Sequence, residues 1–316
     1  MRRALVIAGN SFVGRHIQAE LRSNSFDVIG TVRCKTPATS SSSSSSSSAI
    51  CDVTDPANVA QVLRDIQPDC VVQCAGVTSA QDAELARQVH VDGTTNVLNA
   101  LREHVPEASF VAIGSAAEYG PTPLEHLPLG ESFEPRPASV YGETKLAQTR
   151  LVEQSAADGM TAYVVRPFNI IGPGLPLTYF AAGLAERLRL LSKSEPEEFE
   201  VFNVNATRDF VDVRDVARAI RLLLSHPAEA QGDRPEASDS IVYNVCSNTQ
   251  TTMLAVASFM GELAGGHKPV GAGEADSRSG ISFSQGSFDK LRNRCQWQPE
   301  IDWQTSIRDL WNAFID

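Results

Sequence analysis

Val6-Ile7-Ala8-Gly9-Asn10-Ser11-Phe12-Val13-Gly14-Arg15-His16-Ile17 carries the chain from an apolar run, Leu5 to Ala8, through small residues into a helical pattern that continues to Leu21. A strand that turns so tightly into a helix is the entrance to a βαβ unit. The N–H groups and dipole at such a helix N-terminus hold an anion, and turns that seat a dinucleotide pyrophosphate space small residues as G-x-x-G-x-x-G. On that spacing the chain has Ala8, Ser11 and Gly14, with Gly9 beside the first position. Two of the three glycines are therefore replaced by small residues. The turn, Ala8, Gly9, Asn10, Ser11, Phe12, Val13 and Gly14, reads either as a pyrophosphate seat or as a plain strand-turn-helix, and neighbouring features have to decide.

Short β-branched runs alternate with helical patterns on both sides of that question. Val28 to Arg33 reads as a second strand, Val59 to Ile66 as a helix, and Cys70 to Cys74 as a third strand. Ala83 to His104 reads as one long helix and Phe110 to Gly114 as a fourth strand. Strands apolar on both faces and separated by helices imply an α/β protein, a doubly wound parallel sheet of Rossmann type. Ligands of such sheets sit at the carboxyl ends of the strands, near the point where strand order reverses. Residues 1–167 are expected to form this dinucleotide-binding unit, and 168–316 a smaller, mainly substrate-binding lobe. Segments near 205–250, such as Ile241 to Val245, are expected to return to the main sheet. Later elements are a helix from Tyr179 to Leu191, a strand near Phe199 to Phe202 and a helix from Trp303 to Phe314. The unbroken serine run Ser40 to Ser48, within a loop spanning 36–48, buries nothing, so a tolerated insertion is favoured over a flap above the cofactor.

Composition narrows the partners. The 316 residues carry 27 Lys plus Arg against 38 Asp plus Glu, a formal charge of -11, which disfavours nucleic acid and anionic membrane. An anionic small ligand would have to be held locally by individual arginines. The apolar patch after Met1-Arg2-Arg3 is too short for a signal peptide, and no apolar run approaches a membrane span, so a soluble, cytoplasmic protein is expected. The six cysteines form no C-x-x-C pair and the six histidines no i, i+3 or i, i+4 pair, so the reading is reduced thiols and no metal site.

The second strand ends Gly30-Thr31-Val32-Arg33, where an NAD-selective site places an acid on the ribose 2'-hydroxyl. Arg33 suits the 2'-phosphate of NADP instead, so NADP is favoured with NAD possible; the alternative is a solvated arginine at a strand end. Asp52, with Val53, has the position of an adenine-contacting acid, or else caps the next helix. Ala75 and Gly76 lack bulk where cofactor backbone would pass.

Tyr141 and Lys145 form a Y-x-x-x-K pair on one face of a helical pattern. A tyrosine whose phenol is brought down by a nearby ammonium and a nicotinamide can exchange a proton with a carbonyl or carbinol oxygen. Alone, the pair reads more readily as a surface contact. Ser115, at the carboxyl end of the fourth strand in Phe110-Val-Ala-Ile-Gly-Ser-Ala-Ala-Glu-Tyr-Gly120, adds a hydroxyl for the reacting oxygen. Phosphate turn, serine and Tyr-Lys pair then fall in order along one sheet edge.

With those residues in place the chain resembles the extended short-chain dehydrogenase/reductases of the NAD-dependent epimerase/dehydratase family over nearly its whole length. Arg166-Pro-Phe-Asn-Ile-Ile-Gly-Pro-Gly174, Arg208-Asp-Phe-Val-Asp212, Tyr243-Asn-Val-Cys-Ser247 and Trp297-Gln-Pro-Glu-Ile301 are most similar to its branch that reduces GDP-4-keto-6-deoxy-mannose with NADPH. The resemblance implies Ser115, Tyr141 and Lys145 as catalytic residues and Pro167 beside the cofactor. It implies Asn169, Arg208 and, more loosely, Arg278 on a nucleotide-diphosphate sugar; Arg208 alternatively pairs with Asp209 or Asp212. It also implies a homodimer, built by pairing the helices near Ala83 to His104 and Ala138 to Ala157. Leu85, Val89, Val97 and Leu101 recur at compatible spacing.

Three departures stand out: the eroded glycine turn, His90 where the resemblance expects asparagine, and Ala116-Ala117 where dehydratases carry Asp-Glu. A dehydratase is thereby disfavoured. A sugar-nucleotide epimerase with retained NAD, or a non-catalytic dinucleotide-binding regulatory module, are the alternatives to the reductase.

Overall fold

The computed structural model describes residues 1–34, 49–77, 82–191, 197–225, 241–273 and 283–315. The serine run and Arg278 lie outside these described residues. Thirteen strands are described: β1 Arg3–Ile7, β2 Asp27–Val32, β3 Ala49–Ile50, β4 Cys70–Gln73, β5 Ser109–Ile113, β6 Ala162–Pro167, β7 Asn169–Ile171, β8 Glu198–Val201, β9 Thr207–Arg208, β10 Phe210–Asp212, β11 Val242–Val245, β12 Thr251–Thr252 and β13 Lys268–Gly271. The α-helices are α1 Phe12–Ser23, α2 Pro56–Ile66, α3 Ala83–Arg87, α4 Gly93–His104, α5 Val140–Ala157, α6 Phe180–Arg189, α7 Val213–Ser225, α8 Met253–Leu263, α9 Asp289–Cys295 and α10 Trp303–Ile315.

Seven strands form one parallel sheet in the order β11-β6-β5-β4-β1-β2-β3, the doubly wound Rossmann-type arrangement. Because side chains alternate along a strand, successive residues enter opposite cores. Val6, Val72, Val111 and Val165 pack with α1, α7 and Trp297. Leu5, Ile7, Val71, Phe110 and Val164 pack with α2 and α4. Such two-sided burial is why these strands read as continuous apolar runs. Strand order reverses between β1 and β4, so the crevice for a ligand opens at their carboxyl ends. A third apolar cluster joins α6, α8 and α10 through Leu184, Phe199, Phe210, Met260 and Leu310. No helix among the described residues is long and apolar enough to cross a membrane.

The expected continuous helix 83–104 is instead three pieces. α3 and α4 flank a π-helical turn, Gln88–Asp92, closed by the Gly93 N–H on the Gln88 carbonyl. Apolar spacing is regular on both sides of the turn, so periodicity does not reveal the extra residue. One inserted residue rotates the rest of the helix by about 100°.

Candidate active site

Local chemistry shapes the turn after β1. Ser11 caps α1, its hydroxyl accepting from the Gly14 N–H at 3.1 Å. Ala8 adopts φ of 56°, the left-handed conformation a glycine would take without strain. A Cβ on Gly14 would stand 2.5 Å from the Ala8 carbonyl oxygen, so only glycine lets the helix come this close. The Gly9 N–H reaches the Thr31 carbonyl at 2.8 Å, tying the turn to the end of β2. The first turn of α1 holds no acidic side chain, leaving its positive end open to an anion.

Arg33 follows β2, is exposed, and makes no ion pair among the described residues. Asp52 does not cap α2; that role falls to Asp55, which accepts from Ala57 and Asn58. Asp52 instead accepts from the amide and hydroxyl of Thr54 at 3.0 and 2.8 Å. Val53 is buried in the sheet core, its carbonyl held by Asn96 at 2.9 Å. Ala75 and Gly76 follow β4, with Gly76 exposed, and a Cβ on Gly76 would lie 3.4 Å from His90 Nε2 and 3.6 Å from Lys145 Nζ. Pro167 closes β6 and is buried.

β5 and α5 bring the three expected reactive side chains to one place. Ser115 begins the turn Ala116–Glu118: its Oγ accepts from the Ala117 N–H at 3.1 Å and its own N–H donates to Glu118 Oε1 at 2.8 Å. α5 starts against that turn. A Cβ on Gly142 would meet the Ala117 carbonyl oxygen at 2.5 Å, so glycine after Tyr141 permits the approach. The Ser115 hydroxyl stands close enough to Tyr141 to influence its phenol, and Lys145 is buried, which rules out the surface-pair alternative.

Lys145 does not behave as the sequence suggested. Its Nζ donates to the Ile113 carbonyl at 2.8 Å and to Gln148 Oε1 at 3.0 Å, not to tyrosine. Burial lowers its ammonium from the ordinary 10.5 to about 8, with Glu118 and Cys74 opposing. Burial likewise pushes the Tyr141 phenol up to about 12, opposed by the nearby Ser115 hydroxyl. The expected lowering of the phenol is therefore not what this chain's own groups produce; a protonated hydroxyl, ready to donate, is.

Sequence reasoning missed the polar layer beneath. Gln148 Nε2 and Gln73 Nε2 both donate to Thr94 Oγ1, at 2.9 and 3.0 Å. Glu118 accepts from Thr149 and Arg166 at 2.9 and 2.8 Å. Lys145, Gln148 and Thr149 occupy helix positions where an apolar stripe should run, and that interruption was the available signal. His90, on the π-helical turn, accepts from the Val77 N–H at 3.0 Å and contacts Thr144 Oγ1 at 2.9 Å.

On the far side, Asn169 is exposed on β7, which pairs with β10. Arg208 pairs with neither candidate aspartate. Asp209 is taken by the Ser247, Asn248 and Gly286 amides, at 2.7, 3.0 and 3.0 Å. Asp212 is taken by Arg214 and Ser306. Arg208 instead lines a cavity of about 350 Å³ with Arg187, Asn203, Phe202 and Met253.

The pattern of the NAD dependent epimerase/dehydratase family matches residues 4–246. GDP-6-deoxy-D-mannose reductase of Pseudomonas aeruginosa is 30% identical, over 98% of this chain and 96% of its own. dTDP-6-deoxy-L-talose 4-dehydrogenase (NAD(P)(+)) of Kitasatospora kifunensis is 26% identical, over 98% and 95%. Among solved structures, RMD from Pseudomonas aeruginosa complexed with NADPH gives a TM-score of 0.80 at 27% identity, covering 99% of both chains.

Proposed function

Since the chain belongs to the NAD dependent epimerase/dehydratase family, we propose that it is an NADPH-dependent reductase of a nucleotide-linked 4-keto-6-deoxy sugar, of the GDP-4-keto-6-deoxy-mannose type. The observation that carries this reading is the Ser115–Tyr141 hydroxyl pair at the carboxyl edge of the sheet, beside the buried Lys145. The glycine-tight turn at Ala8 to Gly14 and the acid-free start of α1 fit a dinucleotide pyrophosphate. When bound, a reduced nicotinamide supplies the hydride. Ser115 Oγ orients the keto oxygen, and Tyr141 donates its proton there. A developing alkoxide is more basic than a phenolate, so a phenol held near 12 gives up that proton downhill. Lys145 holds positive charge where the phenolate forms. With alanine at 116 and 117, the turn after Ser115 has no acid or base for dehydration at those positions.

The lobe built mainly from residues 168–316 supplies the nucleotide side of this reading. Arg208 and Arg187 are cations for the diphosphate, and Asn169, exposed on β7, is a further contact in the same reading. All six cysteines are free thiols, which suits the cytoplasmic setting we propose. The same reading includes a homodimer. A groove on the α5 side, lined by Val91, Pro137, Leu146, Leu151, Glu143 and Arg150, offers an apolar strip with both charge signs for a two-fold pairing. Light scattering should give twice the 34.1 kDa chain mass; a monomer removes the dimer.

The deciding assay is NADPH oxidation against GDP-, dTDP-, UDP- and CDP-linked 4-keto sugars. Stoichiometric oxidation with one of them supports the reductase. NAD(H) retained through purification, with no net NADPH consumption, replaces it by an epimerase.

A further inference from the structure

We infer that His90 is a positioning residue that clamps the backbone after β4 to the turn of α5 carrying Tyr141, so that the proton donor and the strand end beside it share one frame. Both ring nitrogens are engaged. The Val77 N–H donates to Nε2 at 3.0 Å, and Nδ1 meets Thr144 Oγ1 at 2.9 Å. Thr144 Oγ1 in turn donates to the Tyr141 carbonyl at 3.1 Å. The imidazole also stands edge-on to the Tyr141 ring, with centroids 5.8 Å apart and planes at 74°.

The direction of every proton in this chain of bonds comes from its chemistry. A backbone N–H only donates, so Nε2 carries no proton. The single ring proton is then on Nδ1 and runs to the threonine oxygen, whose own proton runs to the Tyr141 carbonyl. A doubly protonated ring would turn an N–H against the Val77 N–H, and Lys145 stands beside it. Burial first and Lys145 second hold the imidazole down to about 3, which agrees with that geometry.

The helix irregularity aims this side chain. His90 sits within the π-helical turn Gln88–Asp92, where one extra residue re-phases the inner face. A Cβ on Gly76 would lie 3.4 Å from His90 Nε2 and 3.6 Å from Lys145 Nζ, so the clamp and the buried lysine both border Gly76.

Tyr141 as proton donor rests on the function proposed above; the clamp itself does not. It is tested on the full chain with His90→Ala, His90→Gln and Thr144→Val, by two independent readouts. Amide exchange at Val77 should accelerate about tenfold or more in His90→Ala, since its acceptor is gone. Single-turnover hydride transfer from saturating NADPH should fall roughly 10- to 100-fold, while the NADPH Kd moves less than about threefold. His90→Gln, whose Oε1 can accept from Val77, should restore both protection and most of the rate. Thr144→Val, which leaves no cavity, should give an intermediate loss even if His90→Ala fails to fold. Unchanged exchange overturns the clamp, and faster exchange with unchanged transfer overturns its positioning role. Protection restored by glutamine without the rate overturns that role as well. If the wild type reduces no 4-keto sugar, the functional reading fails separately. Val77 exchange then decides alone: faster exchange in His90→Ala supports the clamp and unchanged exchange overturns it.

Discussion

Arg166 Nε donates to Glu118 Oε2 at 2.8 Å with both side chains out of water, 4% and 0% exposed. The same carboxylate holds the Ser115 amide through its other oxygen, so a buried ion pair sits directly under the serine. The Arg166 guanidinium also lies 4.9 Å from the Tyr119 ring centroid. Arg166→Leu strands a buried carboxylate, which costs about 3–5 kcal/mol. Replacing Glu118 by leucine as well should recover part of that loss, because no unpaired charge then remains, although the Ser115 N–H and Thr149 hydroxyl lose their acceptor. Denaturant unfolding of the single and double variants checks this; equal stability of the two would overturn it.

Ala8 holds a glycine's backbone conformation at φ 56°. The left-handed region costs a non-glycine residue roughly 1–2 kcal/mol. Glycine loses about 0.4–1 kcal/mol through its freer unfolded chain. Ala8→Gly should therefore stabilise the protein by about 0.5–1 kcal/mol, seen as a small rise in Tm with NADPH affinity retained or improved. A lower Tm would mean that the alanine methyl makes packing contacts worth more than the strain.

How far the sequence carried the reading depended on the range of each interaction. Ala8, Ser11 and Gly14 marked the turn because backbone sterics demand small residues there whatever surrounds them. Ser115 and Tyr141 were legible because one ends a strand and the other begins the next long helix. Arg208 was not. Its suspected partner Asp209 is committed to Ser247 and Gly286, residues far along the chain that no local pattern identifies. The π-helical turn at His90 was hidden for a different reason: regular apolar spacing resumes beyond it. Glu118 read as one of many acids, and only the meeting of β5, α5 and β6 shows that it is buried.

On the function proposed above, Lys145 is expected to set an alkaline limit on activity. Its ammonium is lowered to about 8, whereas Tyr141 stays protonated to about 12. As pH rises through about 8, the charge that supports the phenolate disappears and the reductive rate should fall, although the proton donor is intact. Stability moves oppositely. Between about 8 and 10.5 the unfolded chain binds more protons at this lysine than the folded one, so its contribution to stability increases with pH. A pH-rate profile beside thermal melts, each referred to Lys145→Met, separates the two trends. A limb that survives in Lys145→Met would assign it to another group.

On the function proposed above, Arg33 is the residue expected to choose between the two nicotinamide cofactors. The end of β2 carries Gly30, Thr31, Val32 and Arg33, with no acid to hold a ribose 2'-hydroxyl. Thr31 anchors the phosphate turn, accepting the Gly9 N–H at its carbonyl and the Ala8 N–H at its hydroxyl, 2.8 and 3.2 Å. Arg33 is thus two residues from that anchor, on the side where the adenosine ribose of a dinucleotide lies in such sheets. Asp52, the acid the sequence placed near the adenine, is turned to Thr54. Removing one charge-assisted contact costs on the order of 1.5–3 kcal/mol, roughly a ten- to hundredfold change in affinity. Arg33→Asp should raise the KM for NADPH by about that factor and affect NADH much less, since an aspartate there can accept from the free 2'-hydroxyl. Equal damage with both cofactors would show that Arg33 does not read the 2'-phosphate. The preference for NADPH would then lose its residue, and an epimerase that retains NAD would become the stronger reading.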